Sequence, residues 1–460
     1  MSEQDENRPP NKHSLSRLEE GFEKIIGPFQ SFVKDQSIAS IILLCSAILA
    51  LLIANSSLAD FYQSLLHTQT GFVFGEWSFQ KSIHDWINEA LMTLFFFVIG
   101  LEMKRDFLVG ELHDPRNSVQ VVISAAGGML IPALIFYAFN SGSSTVHGWG
   151  IPMATDTAFA VGFLYLLGNR IPRTLTTFLT ALAIIDDLGA IAVIAVFYSD
   201  SISFVHLGFA ALFLIILIML NLLGFRRPWL YFFPALAVWL FLGDSGVHVT
   251  LTGVLVAMTI PARPKRNPRW FIQKAHRLTN KFEEIESNKK RAKSILADEE
   301  QDTLAARLED VAEKATTPLQ RWERKLEHPV ALLVLPVFAL ANAGITIDGS
   351  SFLASISSPL SLGIIFGLTF GKCIGITCFC WISQKLKLGV LPKGVTMSHI
   401  IGVSLMAGIG FSMSIFIANL GFDDKPDKLL IAKSAIFIGS LIAGVLGYCW
   451  LRFLTLAQKK

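Results

Sequence analysis

Charge is what this chain lacks. Only 16% of its 460 residues are Asp, Glu, Lys or Arg, and 52% are hydrophobic; a soluble domain carries about 25% charged residues. An ordinary cytosolic enzyme is therefore a poor match, and a chain this apolar does not stay disordered in water. The net charge of +3 is too weak to point to nucleic acid, and no basic stripe interleaved with aromatics marks such a surface. Cysteine is scarce. Cys45, Cys373, Cys378, Cys380 and Cys449 sit inside apolar runs, with neither metal-ligand spacing nor a disulfide framework. The first 34 residues have no apolar core followed by a small-residue cleavage site, so they do not read as a signal peptide. No cofactor motif is present. What the chain has in plenty is Phe, at 36, and Gly, at 34, together with a mean hydropathy of +0.52. That mixture suits packed membrane helices.

Twelve apolar runs follow one another, over residues 38–59, 87–110, 119–140, 150–167, 174–198, 205–223, 228–242, 247–260, 329–345, 359–381, 396–420 and 431–454. Most approach the ~20 residues that cross about 30 Å of hydrocarbon. The two runs at 228–242 and 247–260 are the weakest. Loop charge supports the count. With the N-terminus inside, the inner loops hold Lys104, Arg105, Arg116, Arg170, Arg173, Arg226, Arg227, Lys385, Lys387 and Lys393, whereas the outer loops carry mostly acids. The loop at 421–428 is the one mixed case. Both termini are placed in the cytoplasm.

The organisation is then a cytoplasmic segment at 1–36, a first membrane block at 37–262, a charged insert at 263–328 and a second membrane block at 329–460. Within the first segment Leu18, Phe22, Ile25, Ile26, Phe29 and Phe32 recur at helical spacing; a surface-lying helix and a solvated tail are equally compatible with this. Within the insert, residues 283–327 are rich in Glu, Lys, Arg, Ala and Leu and read as cytoplasmic helix or a helical hairpin, their charge run a solvated face with a binding site as the competing reading. Residues 71–79 alternate about Gly75-Glu76, as in a small external β-hairpin, with a plain loop as the competing reading.

Four ionisable side chains lie deep in apolar runs: Asp156, the adjacent Asp186 and Asp187, and Lys372. Each costs about 2.5–3.5 kcal/mol at mid-bilayer. They must pair, protonate or face water. Scaffolding alone does not call for three acids and one amine. Adjacent residues are about 100° apart around a helix, so one aspartate can face a funnel while the other turns to a neighbour, within reach of Lys372. Glycines interrupt two spans. Gly148, Gly150 and Pro152 precede Asp156, and Gly408 and Gly410 stand mid-span near the far end, as in an inverted repeat of broken helices. Asp156 could then balance helix N-termini, and Lys372 helix C-termini.

At these residues the chain resembles the NhaA family of bacterial sodium/proton antiporters, over nearly its whole length. The motifs are Ala154-Thr-Asp-Thr-Ala-Phe159, Ala183-Ile-Ile-Asp-Asp-Leu-Gly189, Ser245-Gly-Val-His-Val-Thr250, Gly371-Lys372 and Gly408-Ile-Gly-Phe-Ser-Met-Ser-Ile-Phe416. The resemblance implies an all-α polytopic fold of about twelve transmembrane helices, with inverted repeats and two broken helices that cross, an architecture known in transporters of this family. It also implies that Asp187 is the main Na⁺ ligand and proton carrier. Asp186 would pair with Lys372, and Thr155 and Asp156 would assist. His248, Glu102, Arg105, Asp106, Glu323 and His328 match positions tied to pH regulation; for Glu102, Arg105 and Asp106 a plain span end, and for His248 a packing role inside an apolar helix, are the competing readings. The hairpin matches a dimer contact, and the expected setting is a bacterial inner membrane. The chain departs from compact members in its long insert, in Arg324 where some carry His, and in Glu89 where the usual acid is shorter.

A carboxylate in a dry funnel is a hard oxygen ligand for Na⁺ or Li⁺ and also a base. One site then holds a proton or a cation, not both, which is the essence of exchange. An intramembrane aspartyl protease would need distant aspartates on facing helices. A cation channel gains nothing from a mid-membrane lysine. The remaining alternative is a sodium-coupled solute symporter.

Overall fold

The computed structural model describes residues 36–74, 77–110, 115–199, 202–287, 299–346 and 355–457. The amphipathic pattern at 18–32 and the Gly75-Glu76 turn lie outside them. Contacts divide the described residues into two compact units, residues 36–260 with 323–457, and 261–322.

In the larger unit the chain opens with α1 (Gln36–Ala54) and α2 (Ala59–His67), which bends away from α1 by 112°. Strands β1 (Gln69–Phe74) and β2 (Trp77–Ser82) pair antiparallel in register Phe72↔Phe79, so residues 71–74 and 77–79 belong to paired strands as the hairpin reading expects. Helix α3 (Ile83–Val109) starts at a capping box in which the Ser82 hydroxyl accepts from the Asp85 N–H. Next come α4 (Ser118–Asn140), a 3₁₀ turn at Val146–Met153, α5 (Thr157–Tyr165), α6 (Arg173–Phe197), α7 (Phe204–Leu222), α8 (Pro228–Gly243) and α9 (Leu251–Thr259).

The smaller unit holds α10 (Pro268–Ser287) and α11 (Glu299–Ala315), packed side by side. Helical Leu- and Ala-rich composition was expected of this insert, and helix is what it forms. Its two helices bury Leu304 and Val311 of α11, while Phe271, Leu278 and Phe282 of α10 are half-buried. Thereafter the chain runs through α12 (Pro318–Asn342), α13 (Pro359–Lys385), α14 (Met397–Met406), α15 (Phe411–Gly421) and α16 (Pro426–Ala457).

Among the described residues seven helices are long and apolar enough to cross a membrane, or nine if two bent pairs count as one span each. The fold is thus an all-α polytopic one. Three of the twelve apolar runs depart from a full helical span, those at 150–167 and 247–260 and the one at 396–420, which bends by 50° between α14 and α15. At 150–167 the run is a 3₁₀ turn, an extended stretch and the nine-residue α5. At 228–242 α8 covers the whole run, and its 16 residues extend about 24 Å at 1.5 Å per residue. At 247–260 only the nine residues of α9 are helical, and His248, expected inside that helix, lies before it. Hydropathy detects apolar environment, not helical continuity, so prolines and glycines inside a run shorten the helix without changing its score.

Each half of the larger unit contains a long helix, a broken helix and a second long helix: α4, 146–165 and α6, then α13, α14–α15 and α16. The first long helices cross tightly. A Cβ on Gly375 would come within 2.2 Å of the Gly127 carbonyl oxygen, and one on Gly127 within 2.4 Å of the Gly375 carbonyl oxygen. Only glycine allows backbones this close. The Gln120 amide donates to the Cys380 carbonyl at 3.1 Å, and Asn140 to Pro359 at 3.0 Å. Partners advance on α4 as they retreat on α13, so the two helices are antiparallel, which is the relation an inverted repeat requires. A one-turn π segment, Gly367–Gly371, bulges α13 immediately before Lys372.

Candidate ion-binding site

The two breaks meet. Ala154, Thr155 and Asp156 are non-helical between the 3₁₀ turn and α5, and residues 407–410 separate α14 from α15. Backbone left unpaired by a break must find partners elsewhere when no water is at hand. Here each break supplies the other. The Asp156 N–H donates to the Ile409 carbonyl at 2.6 Å, the Thr155 hydroxyl donates to the Ala407 carbonyl at 2.9 Å, and the Ser414 hydroxyl to the Ile151 carbonyl at 2.8 Å.

Asp156 stands at two helix N-termini at once. Its Oδ1 caps α5, accepting from the Phe159 N–H at 3.2 Å, and its Oδ2 accepts from the Ser412 N–H at 2.9 Å in the first turn of α15. The Ser412 hydroxyl donates to the same oxygen. A carboxylate there compensates two positive helix ends. The sequence reading anticipated that role for Asp156 without picking out Ser412. A hydroxyl residue two positions past Gly410, at the start of an apolar helix, was the available signal.

Of the two partners open to Lys372, an aspartate and the helix C-termini, it takes the aspartate, as the resemblance implies. Its Nζ donates to Asp186 Oδ2 at 2.5 Å and to Thr155 Oγ1 at 2.9 Å, and Thr155 Oγ1 lies 2.8 Å from Asp186 Oδ2, so its single proton is shared between that oxygen and the Ala407 carbonyl. Lys372 and Asp186 are both fully buried. The choice has a simple cause. The C-terminal carbonyls at the break already receive Thr155 and Asp156, and a full carboxylate attracts an ammonium more strongly than a half-charge does.

Asp187, next to Asp186 on α6, is 2% exposed, and its Oδ1 has no hydrogen-bond partner; Asp186 Oδ1 has none either. Buried carboxylate oxygens are seldom left so. The structure therefore gathers Thr155, Asp156, Asp186 and Lys372 into one connected set, with Asp187 beside it. Among the described residues no three His, Cys, Asp or Glu side chains converge as they do on a resident metal; Asp186 turns to Lys372 and Asp156 to Ser412. A cleft with about 420 Å³ of open space lies between the N-terminal parts of α4 and α6 and the 390–392 loop, lined by Gln120, Thr174, Thr177, Phe178, Ala181 and Pro392.

The residues singled out for regulation divide in two. Arg105, near the end of α3, reaches Glu323 at 2.5 Å, Asp106 at 3.0 Å and Glu102 at 3.9 Å. These four form one cluster, with Asp106 and Glu323 buried. His328, five residues after Glu323 on α12, is exposed, and His248, ahead of α9, is half-buried. A further polar network escaped the sequence reading. Asn342 Oδ1 accepts from Asn419 at 2.7 Å and lies 3.1 Å from His84 Nε2, while its amide donates to Asn88 at 2.8 Å. It occupies the end of α3 opposite to Arg105.

Comparison with known proteins agrees with this geometry. The chain matches the model of the family described as Na+/H+ antiporter 1 over residues 30–451. It is 45% identical over 443 residues to a protein of Saccharophagus degradans named Na(+)/H(+) antiporter NhaA 1, covering 96% of this chain and 95% of that one. Similar relatives are a Na(+)/H(+) antiporter NhaA 1 of Shewanella denitrificans, 44% identical over 96% of this chain and 98% of the other, and a Na(+)/H(+) antiporter NhaA of Sulfurimonas denitrificans, 43% identical over 94% and 97%. These likenesses give no support to a sodium-coupled solute symporter. Whole-length likeness, two broken helices bonded across their gaps and a buried acid–amine pair make this chain a multi-pass membrane protein that belongs to the Na+/H+ antiporter 1 family.

Proposed function

We propose that this chain exports Na⁺, and Li⁺ with it, in exchange for external protons, serving sodium and pH homeostasis in a bacterial inner membrane. Asp187 is the principal ligand and proton carrier. Its buried, unpartnered oxygen is the observation that carries this reading. Such an oxygen gains most from either a cation or a proton, and gains it from only one at a time. Cation arriving from the cytoplasm displaces the proton, the site reorients, and external protons displace the cation.

Asp186 and Lys372 form the internal counter-ion pair. When cation binds beside Asp186, the Asp186 charge is shared, Lys372 loses its partner and can shed a proton; exchange then moves more protons than cations and is electrogenic. Thr155 bridges the pair, and Asp156 fixes the two α-helical N-termini around it. Glu102, Arg105, Asp106 and Glu323, with His248 and His328, set the alkaline activation. The loop charges put both termini in the cytoplasm. The β-hairpin contacts a second copy in a homodimer set in lipid.

The test is proton movement in inside-out vesicles on adding Na⁺, Li⁺ or K⁺. Proton release with Na⁺ and Li⁺ but not K⁺, absent in Asp187→Asn, is the expected result. Undiminished exchange in that variant would move the cation to Asp156 or Asp186.

A further inference from the structure

The chain's small net charge conceals one strongly cationic stretch. From residue 261 to residue 282 there is no Asp or Glu, but there are seven Lys or Arg, beginning at Arg263 and ending at Lys281. Without this stretch the chain would be net negative. Every one of the seven is exposed, and none forms an ion pair with a described residue. Neighbouring α11 is acidic, yet Asp310 holds Lys314 and Glu313 holds Arg321.

Helix geometry sorts α10 into faces. Phe271, Ala275, Leu278 and Phe282, at spacings of four, three and four, form its half-buried stripe. Trp270, Lys274, Arg277 and Lys281 repeat the same spacing one residue earlier, so they form a second stripe about 100° away. Arg266 stacks its guanidinium over Trp270, 5.5 Å from the ring centre, which continues the stripe upstream. Cations flanking an indole are a composition suited to a lipid–water interface.

The covalent chain keeps this stripe near a bilayer. Arg263 is three residues past Ile260, the C-terminal cap of α9, and three residues span at most about 11 Å. Arg266 is three further on. A juxtamembrane run of this kind fits an anionic leaflet, within reach of whose field each Lys or Arg is attracted. We infer that the cationic stripe of α10 docks on anionic phospholipid headgroups of the adjoining leaflet. Which leaflet that is rests on the cytoplasmic placement given above; the docking itself does not.

Hydrogen exchange of the full-length protein in nanodiscs tests it and needs no transport. Amides of α10 exchange more slowly in phosphatidylglycerol-containing discs than in phosphatidylcholine discs. Attraction is worth about fivefold in occupancy per cation, so the triple variant Lys274→Gln, Arg277→Gln, Lys281→Gln abolishes the difference, and high salt does the same. Its exposed positions leave the fold intact, which unchanged exchange in α4 and α13 verifies. Equal exchange in both lipids overturns the inference. Equal protection from inorganic phosphate in phosphatidylcholine discs also overturns it, because a free-anion site would then replace a membrane contact.

Discussion

Replacing Lys372 with methionine tests the centre of the site. The side chain is fully buried, and its ammonium touches only Asp186 and the Thr155 hydroxyl. Methionine preserves the volume but leaves Asp186 with one donor, Thr155, for two oxygens. Removing one partner of a buried pair costs about 3–5 kcal/mol, whereas replacing both by neutral groups of similar shape is close to neutral. The single variants Lys372→Met and Asp186→Leu should therefore lose most of that amount, and the double variant Asp186→Leu, Lys372→Met should recover it. Equilibrium unfolding in mild detergent measures all four proteins, and the cycle isolates the pair because both groups are enclosed by the same helices. Vesicles carrying Lys372→Met should also lose the dependence of exchange on membrane potential, since the amine no longer carries a proton. A single variant within about 1 kcal/mol of wild type, with no recovery in the double, would refute the buried-pair reasoning.

Three other perturbations address separate parts of the argument. If one proton competes with one cation, the apparent KM for Na⁺ should rise about tenfold per unit fall in pH below the site's titration range, by mass action; a pH-independent KM would contradict competition. Ser412→Ala removes one of two donors to Asp156 Oδ2 and keeps the backbone N–H at 2.9 Å, so affinity for Na⁺ should weaken by about tenfold with the fold intact, whereas total loss would give Ser412 a larger role. Gly375→Val forces a Cβ to within 2.2 Å of the Gly127 carbonyl and should abolish stable protein, measured as monodisperse yield, while Gly142→Ala, in open space, should be recovered in nearly normal amounts despite its positive φ.

The four buried ionisable groups were legible in the sequence because the bilayer makes each one expensive, so its presence in an apolar run already signals a site. The antiparallel halves were legible in outline through Gly148, Gly150, Gly408 and Gly410. The β-hairpin was legible through strict alternation, and the helical insert through its composition. Other features were not. The run at 247–260 is helical only over Leu251–Thr259, because apolar composition does not report where the backbone leaves the helix. For Lys372 the residues left two partners open, an aspartate and the helix C-termini, because charge alone does not say which of two negative partners lies nearer.

The sequence by itself determined that this protein lives in a membrane, which charges it hides there and where its helices break, since each follows from local composition and the exclusion of water. Only the tertiary structure decided that Thr155 links the Asp186–Lys372 pair to the broken helices, and that Ser412 and Asp156 join the two halves. Those choices depend on contacts between residues up to 256 positions apart, and which side chains meet across such distances is fixed by the packing of helices rather than by any pattern along the chain.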